Sequence, residues 1–411
     1  MCNFVRFFSD FMNYQETLQY LYVMTPAFQQ VGQSAYKPGL DNVLELSAKF
    51  EHPHTAFKSI HVAGTNGKGS VSHTLAAILQ AQGYKVGLYT SPHLRDFSER
   101  IRVNGKPVSE EYVVAFVEQA RAFIEQLKPS FFELTTMMAF CYFKEQQVDY
   151  AVIEVGLGGR LDSTNIITPV LSVITNVSFD HVALLGNTLE KIAYEKAGII
   201  KPGVPVVVGE APAELRPIYT AKGAKVVFAE DMPESSLPFE LTGECQRYNK
   251  KTILAAVDLL QQKIPISSQA VEYGLLHVVS LTGLKGRWQK LAESPLVIAD
   301  TGHNEAGIRL IVKQLRSLSY KTLRMVIGVV NDKDVNAMLS LLPKDAVYYF
   351  TNAHIPRALS SQELQAIAKN YDLIGKNYPS VQEALLAAKN EASNDDVIFV
   401  GGSNFIVAEV V

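Results

Sequence analysis

Seven residues, Gly64-Thr65-Asn66-Gly67-Lys68-Gly69-Ser70, have the types and spacing to hold a chain of phosphates. Glycines let successive backbone N–H groups converge on an anion with no Cβ in the way, and Lys68 can reach the outer phosphates. Ser70 offers a hydroxyl suited to a magnesium ion. The flanks fit this chemistry. Ile60 and Val62 read as the end of a buried strand, while Leu75, Ile78 and Leu79 recur at helical spacing, so the turn delivers its anion to a helix N-terminus. The spacing departs from the common G-x-x-x-x-G-K-[ST] form: two residues separate Gly64 from Gly67, and the hydroxyl follows the lysine by two places.

Further groups with chemistry to offer follow the ends of other apolar runs. Tyr150 to Val155 is continuously apolar apart from Glu154, which is costly to bury unless something positive meets it. Glu154 is therefore a metal-ligand candidate, with a salt bridge to Arg160 as the competing reading. Ser91 and His93 lie in Thr90-Ser91-Pro92-His93-Leu94, directly after the strand around Val86 and Leu88, where proline ends the pairing. Asp180 and His181 come just past a strand over Val170 to Thr175, and Asp300-Thr301-Gly302-His303-Asn304 follows one over Leu296 to Ala299. In open α/β sheets, ligands bind outside the carboxyl ends of the strands. The phosphate loop, Ser91, Glu154 and His181 all fall on that edge, where hydroxyl, carboxylate and imidazole suit Mg²⁺ bridging phosphates.

The elements that must position these groups alternate strand and helix. Helices are expected over Tyr14 to Val23 and after Gly39, the second capped by Asp41 or Asn42 with Val43, Leu44 and Leu46 facing the core. Ser109 to Leu127 reads as an amphipathic helix and Phe131 to Phe143 as a buried one, whose Glu133 and Thr135-Thr136 either face a cleft or cap the helix. The loop Val31 to Pro38 is either a plain connector or a substrate contact. A helix capped at Asn187-Thr188 carries Lys196; Lys196 and Lys201 read from the residues alone as its solvated, dipole-complementing end. Strands over Val204 to Val208 and Lys225 to Phe228 precede a helix from Gln246 to Leu260 bearing Asn249. The glycines of Gly283-Leu284-Lys285-Gly286-Arg287-Trp288 mark a hinge, after which the alternation resumes on a smaller scale. The fold class is thus α/β: a P-loop-type, mostly parallel sheet domain over residues 1–283, then a smaller Rossmann-like α/β domain over 284–411.

A chain of 411 residues, 47% hydrophobic and 19% charged, builds two or three cores. A formal net charge of −3 without any long Lys/Arg run argues against nucleic-acid and acidic-membrane partners and leaves small molecules. Cys2, Cys141 and Cys245 are odd in number and far apart, indicating neither a disulfide framework nor a zinc site, and a reducing cytoplasm fits. No apolar run reaches the ~18 residues of a membrane span, and no targeting segment is evident. The first eleven residues read as an extension upstream of the helical pattern that begins at Met12.

Taken together, GTNGKGS at Gly64 to Ser70, TSPHL at Thr90 to Leu94, ERIRVNG at Glu99 to Gly105, EVGLGGRLDSTN at Glu154 to Asn165 and EKAGIIKPG at Glu195 to Gly203 resemble the folylpolyglutamate synthases. GRW at Gly286 to Trp288 and DTGHN at Asp300 to Asn304 extend the likeness into the second domain, including to the bifunctional form that is also dihydrofolate synthase. The resemblance implies a two-domain ligase related to the Mur ligases, with ATP between the domains and dihydropteroate, folates and L-glutamate as substrates. It implies Ser70 and Glu154 as ligands of one Mg²⁺, and Ser91 and His181 as ligands of a second. By the same likeness Lys196 is carried as a carbamate, Lys68, His181 and Lys196 are catalytic, and Asn249 lies near the base. Arg287 and His303 become phosphate contacts, Asp300 a ribose contact, and His93, Asp162 and Ser163 substrate contacts. A monovalent cation and a monomeric state complete the expectation.

Two departures stand out: Cys245 where the family often has His, and Thr301-Gly302 where it often has Gly-Ala. Polyglutamate extension alone, a Mur-type amino-acid ligase and a non-catalytic nucleotide-binding regulator are the competing functions. A Mur-type enzyme would be expected to carry a further N-terminal substrate domain, and a regulator would not need Glu154, His181 and Lys196 together.

Overall fold

The computed structural model describes residues 12–25, 39–223, 225–331 and 334–411. Residues 1–11 and the loop Val31 to Pro38, for which an extension and a connector or substrate loop were expected, lie outside the described residues.

The first sheet has eight strands: β1 (Lys58–Ala63), β2 (Val86–Tyr89), β3 (Ile101–Val103), β4 (Lys106–Pro107), β5 (Tyr150–Glu154), β6 (Leu171–Ile174), β7 (Val206–Val208) and β8 (Val226–Phe228). Their order is β4-β3-β2-β5-β1-β6-β7-β8, parallel from β2 to β8. The edge strands β3 and β4 are antiparallel, a hairpin turning at Asn104 and Gly105 that hydrophobic periodicity does not reveal in so few residues. β1 lies centrally between β5 and β6, so the loops leaving all three emerge side by side.

Strand alternation divides the core. Ala151 and Ile153 of β5 pack with the helices Glu110–Leu127 and Phe131–Glu145 on one face. Val152, with Ile60 and Val62 of β1, packs with the helices Lys68–Ala81, Glu244–Gln261 and Ser268–Leu276 on the other. Burial on both faces is what lets these strands read as unbroken apolar runs. Glu133 caps its helix in a reciprocal box with Ser130, and Thr135 and Thr136 meet the Tyr89 hydroxyl inside the core, so none of the three faces the cleft.

The second sheet contains β9 (Gln289–Glu293), β10 (Leu296–Asp300), β11 (Leu323–Ile327), β12 (Val347–Phe350), β13 (Gly375–Asn377) and β14 (Val397–Gly401). It runs β13-β12-β11-β14-β10-β9, parallel except for the antiparallel edge strand β9. Cores line both of its faces.

Some local expectations need correction. The helix Asp41–Lys49 starts after Leu40 with no side-chain cap, so neither Asp41 nor Asn42 plays that part. Leu44 is 48% exposed, because the buried stripe consists of Val43, Leu46 and Ser47. No described helix is long and apolar enough to cross a membrane.

Candidate active site

The turn between β1 and the helix Lys68–Ala81 is held from β6 and the segment after it. Thr175 Oγ1 donates to the Asn66 carbonyl, Asn176 Oδ1 accepts from Asn66 N at 2.9 Å, and Thr65 N donates to the Asn176 carbonyl at 3.0 Å. Gly67 takes φ +83° at the helix N-cap, where a Cβ would strike the Asn249 side chain. No side chain caps this helix, so its first-turn N–H groups remain for an anion.

Lys68 folds back over the turn, donating to the carbonyls of Gly64 and Thr65 at 3.1 Å each. Lys196 approaches from the helix Leu189–Lys196 and donates to the same Gly64 carbonyl at 2.9 Å. Lys196 is 3% exposed, which corrects its reading as a solvated helix end. Burial, with the Lys68 cation nearby, pulls its amine down to about 7. Lys68 is lowered too, by burial, against the opposing carboxylates of Glu154 and Asp180. Lys201 donates to the Asn165 carbonyl at 2.9 Å, which makes it a loop tether.

Ser70, 1% exposed, accepts from Gln246 Nε2 at 3.2 Å, and Gln246 Oε1 accepts from Asn249 Nδ2 at 2.9 Å. Asn249, expected near the base, thus has its side chain against the phosphate turn, because the first turns of its helix pass over Gly67. Gln246 was not foreseen: an amide on a helix carries no sequence signal for whom it will meet.

Glu154 closes β5 with its Oε2 accepting from Ser91 N at 3.0 Å. Burial raises its pKa, opposed by Lys68, the Ser91 N–H and Arg287. Arg160 pairs instead with Glu195 at 2.9 Å, which removes the salt-bridge alternative for Glu154. His93 Nδ1 accepts from Arg100 Nε at 2.7 Å, and burial beside that cation holds the imidazole well below its ordinary pKa, hence neutral.

The second lobe reaches the same place. A Cβ on Gly69 would stand 3.3 Å from Arg287 Nη2 and 3.9 Å from Glu154 Oε1. Arg287 is oriented by Thr301, whose Oγ1 accepts from Nη1 and donates to the Gly286 carbonyl. The departure at 301 thereby acquires a physical part that a glycine could not play. Asp300 braces the Gly286-Arg287-Trp288 segment, accepting from Trp288 N at 2.7 Å and Gly302 N at 2.8 Å. His303 Nδ1 donates to the Thr301 carbonyl at 2.9 Å, leaving Nε2 3.8 Å from Asp180 Oδ2. His181, at φ +49°, keeps its Nε2 3.8 Å from Asp180 Oδ1. Between the lobes lies a solvent-open cleft whose walls include Gly69, Ser91, His93, Glu154 and Arg287.

The Asp162 carboxylate lies near enough to Lys68 and Lys196 to favour the charge of both. It is 4% exposed, accepts from Leu157 N at 2.8 Å and from Thr164 N at 3.0 Å, and caps the 3₁₀ turn Ser163–Ile166. Asp162 thus braces this loop, and Ser163, 8% exposed, heads the same turn. Cys141 and Cys245 are free thiols, and burial pushes Cys245 up to about 12, which leaves it unreactive.

Two family models match the chain: the Mur ligase middle domain over residues 62–228, and the Mur ligase glutamate ligase domain over 286–404. The dihydrofolate synthase/folylpolyglutamate synthase of Bacillus subtilis is 33% identical, over 91% of this chain and 94% of that one. The chain belongs to the dihydrofolate synthase/folylpolyglutamate synthase family. Members of this family are ligases, and their solved structures share the fold. Escherichia coli FolC in complex with DHPP and ADP matches with a TM-score of 0.85 at 31% identity, covering 97% of both chains. A bifunctional folylpolyglutamate synthase/dihydrofolate synthase with Mn, AMPPNP and L-glutamate bound matches at 0.84 and 31%, again over 97% of both.

For a dihydrofolate synthase/folylpolyglutamate synthase, the donor set suits a divalent ion held largely by phosphates and water. Among the described residues no group of three or more His, Cys, Asp or Glu side chains forms an all-protein cage. Hydroxyls at Ser70 and Ser91, one carboxylate at Glu154 and one imidazole at His181 are instead spread over three adjoining loops and a helix start.

Proposed function

We propose that the chain is an ATP-dependent amide ligase that adds L-glutamate to dihydropteroate and to the γ-carboxylate of folates. A carboxylate does not condense with an amine near neutral pH, because an oxide is too poor a leaving group. Transfer of the ATP γ-phosphoryl to the acceptor carboxylate gives an acyl phosphate and ADP. The α-amine of glutamate then adds to the carbonyl, loses a proton, and phosphate departs from the tetrahedral intermediate to leave the amide. Phosphoryl transfer asks mainly for positioning and charge neutralisation.

The observation that supports this reading is the approach of three segments around Gly69: a helix N-terminus, the Glu154 carboxylate and the Arg287 guanidinium of the second lobe. We assign the triphosphate to the loop Gly64–Ser70 with Lys68, Arg287 and His303, and the ribose to Asp300. Ser70 with Glu154, and Ser91 with His181, are assigned as two divalent-ion positions; the ions, when bound, shield the phosphates and favour attack at phosphorus. His93 is assigned to the acceptor. Domains divided at Gly283 and closing over the cleft complete the arrangement.

Lys196, with its amine near 7, populates near neutral pH the uncharged form that adds carbon dioxide, and we assign it as a carbamate. The resulting anion relieves its repulsion with Lys68. We take a monomer as the acting unit, and we place the reaction in the cytoplasm, where ATP and glutamate are abundant.

The test is ADP release by purified protein given ATP, L-glutamate and each acceptor separately. Release with both is expected. Release with the folate alone reduces the function to polyglutamate extension, and release with neither overturns the reading.

A further inference from the structure

The cleft between the lobes holds more positive charge than a triphosphate assignment uses. Besides Glu154 and Arg287, its walls include Arg102 on β3, Glu99 just before it and Lys285 on the hinge. Arg102 is 8% exposed, and its Nε and Nη1 donate to the carbonyls of Glu99 at 3.2 Å and Gly105 at 3.1 Å. Those carbonyls fix the guanidinium without cancelling its charge. The hinge runs directly against it: Gly283 has φ +69°, and a Cβ there would stand 3.0 Å from Arg102 Nη1. Lys285 follows two residues later. Neither Arg102 nor Lys285 forms an ion pair with a described residue. Of the acids in the same cleft, Glu99 Oε2 accepts from Leu94 N at 2.9 Å and Glu154 Oε2 from Ser91 N, and the Glu99 charge partly offsets the cost of burying Arg102.

A buried guanidinium offset by one carboxylate, with an ammonium on the same cleft wall, favours a further anion between the walls. Resting on the ligase reading above, we propose that Arg102 and Lys285 form a subsite for a carboxylate that does not itself react. Two substrate parts share that chemistry. Incoming glutamate reacts through its amine and keeps both carboxylates, whereas a folate acceptor reacts through its γ-carboxylate and keeps the α. Dihydropteroate brings only the carboxylate that reacts, so it contributes nothing to such a subsite.

Steady-state kinetics on Lys285→Gln, with Lys285→Arg as the charge-restoring companion, test this. Loss of one charge-assisted contact raises KM for the affected substrate about tenfold, with the change in KM rather than kcat and with KM for ATP unmoved. A rise in KM for L-glutamate with dihydropteroate as acceptor, reversed in Lys285→Arg, assigns the subsite to incoming glutamate. A rise confined to the folate acceptor assigns it to the acceptor's α-carboxylate. In the glutamate case, the α- or the γ-amide of glutamate, whichever masks the carboxylate held, is a poorer substrate for the wild type, and Lys285→Gln adds no further loss with that amide. Unchanged KM values for glutamate and folate, or a rise in KM for ATP alone, overturn the subsite. Absence of glutamate-dependent ADP release in the wild type is the separate failure, that of the ligase reading.

Discussion

Asn66 in the phosphate loop and Asn304 at the head of the helix Glu305–Ser317 exchange a reciprocal pair of side-chain hydrogen bonds, 3.1 and 3.0 Å, from one lobe to the other. Asn304 spends its whole amide: Nδ2 also donates to Asp180 Oδ2 at 3.1 Å, and Oδ1 also accepts from Gly307 N at 2.9 Å to cap its helix. One side chain thus ties the phosphate turn and the Asp180-His181 loop to the second domain. Asn304→Ser retains a cap and loses the bridge. Ligation should fall about tenfold or more, as expected for two net hydrogen bonds, while the melting temperature moves by no more than a few degrees. Combined with Asn66→Ala the losses should be far from additive, which a double-mutant cycle on turnover reads directly.

Lys68→Ala should abolish ATP-dependent ligation, by on the order of 10²-fold or more, because a preorganised charge at the transferring phosphate is removed. The fold should survive, since the lysine bonds only to carbonyls of its own turn. ADP release and circular dichroism on the same sample check both halves, and wild-type turnover would discredit the phosphate assignment.

Glu154→Gln keeps the shape at the end of β5 and removes its negative charge. The Mg²⁺ concentration giving half-maximal activity should rise by about tenfold or more, because a hard cation loses its one carboxylate ligand from the protein. Titrating activity with Mg²⁺ at saturating ATP measures this. An unchanged midpoint would remove Glu154 from the metal.

Lys196 carries a pH signature. Its folded pKa, about 7, lies below the unfolded value of 10.5, so the unfolded chain binds the extra proton between the two. Stability from this group therefore rises as pH climbs through that window, and its penalty is fully present below pH ~7. Carbamate formation needs the neutral amine, so carbamate seen by ¹³C NMR with labelled bicarbonate should fade as pH drops below about 7. Lys196→Gln should show no such signal and should lose most of its turnover.

Gly67→Ala should destabilise by about 1–2 kcal/mol, since φ +83° is open to glycine and strained for alanine. Its Cβ also displaces Asn249 from the turn. Thermal melting with and without ADP separates the strain from the lost nucleotide contact.

Much of this arrangement was legible in the chain itself. Continuous apolar runs announce strands covered on both faces, and the residues that interrupt or follow them, Lys68, Ser91, Glu154 and His181, are conspicuous because charge and hydroxyl are out of place there. The antiparallel hairpin β3-β4 was not legible, since strands of three and two residues carry too little period. Nor was the burial of Lys196, because helical spacing gives a face without saying what covers it.

The sequence by itself determined the alternation of strand and helix, the phosphate turn and the edge on which the reactive groups collect, because backbone preference and hydrophobic period are local properties. Tertiary structure alone decided which partners those groups take: Arg160 with Glu195, Asp162 with its own loop, Thr301 under Arg287, Asn66 with Asn304. Hydrogen bonds and charges act over a few ångströms, and residues separated by as many as 238 positions come within that range only when sheet order and lobe packing have been set.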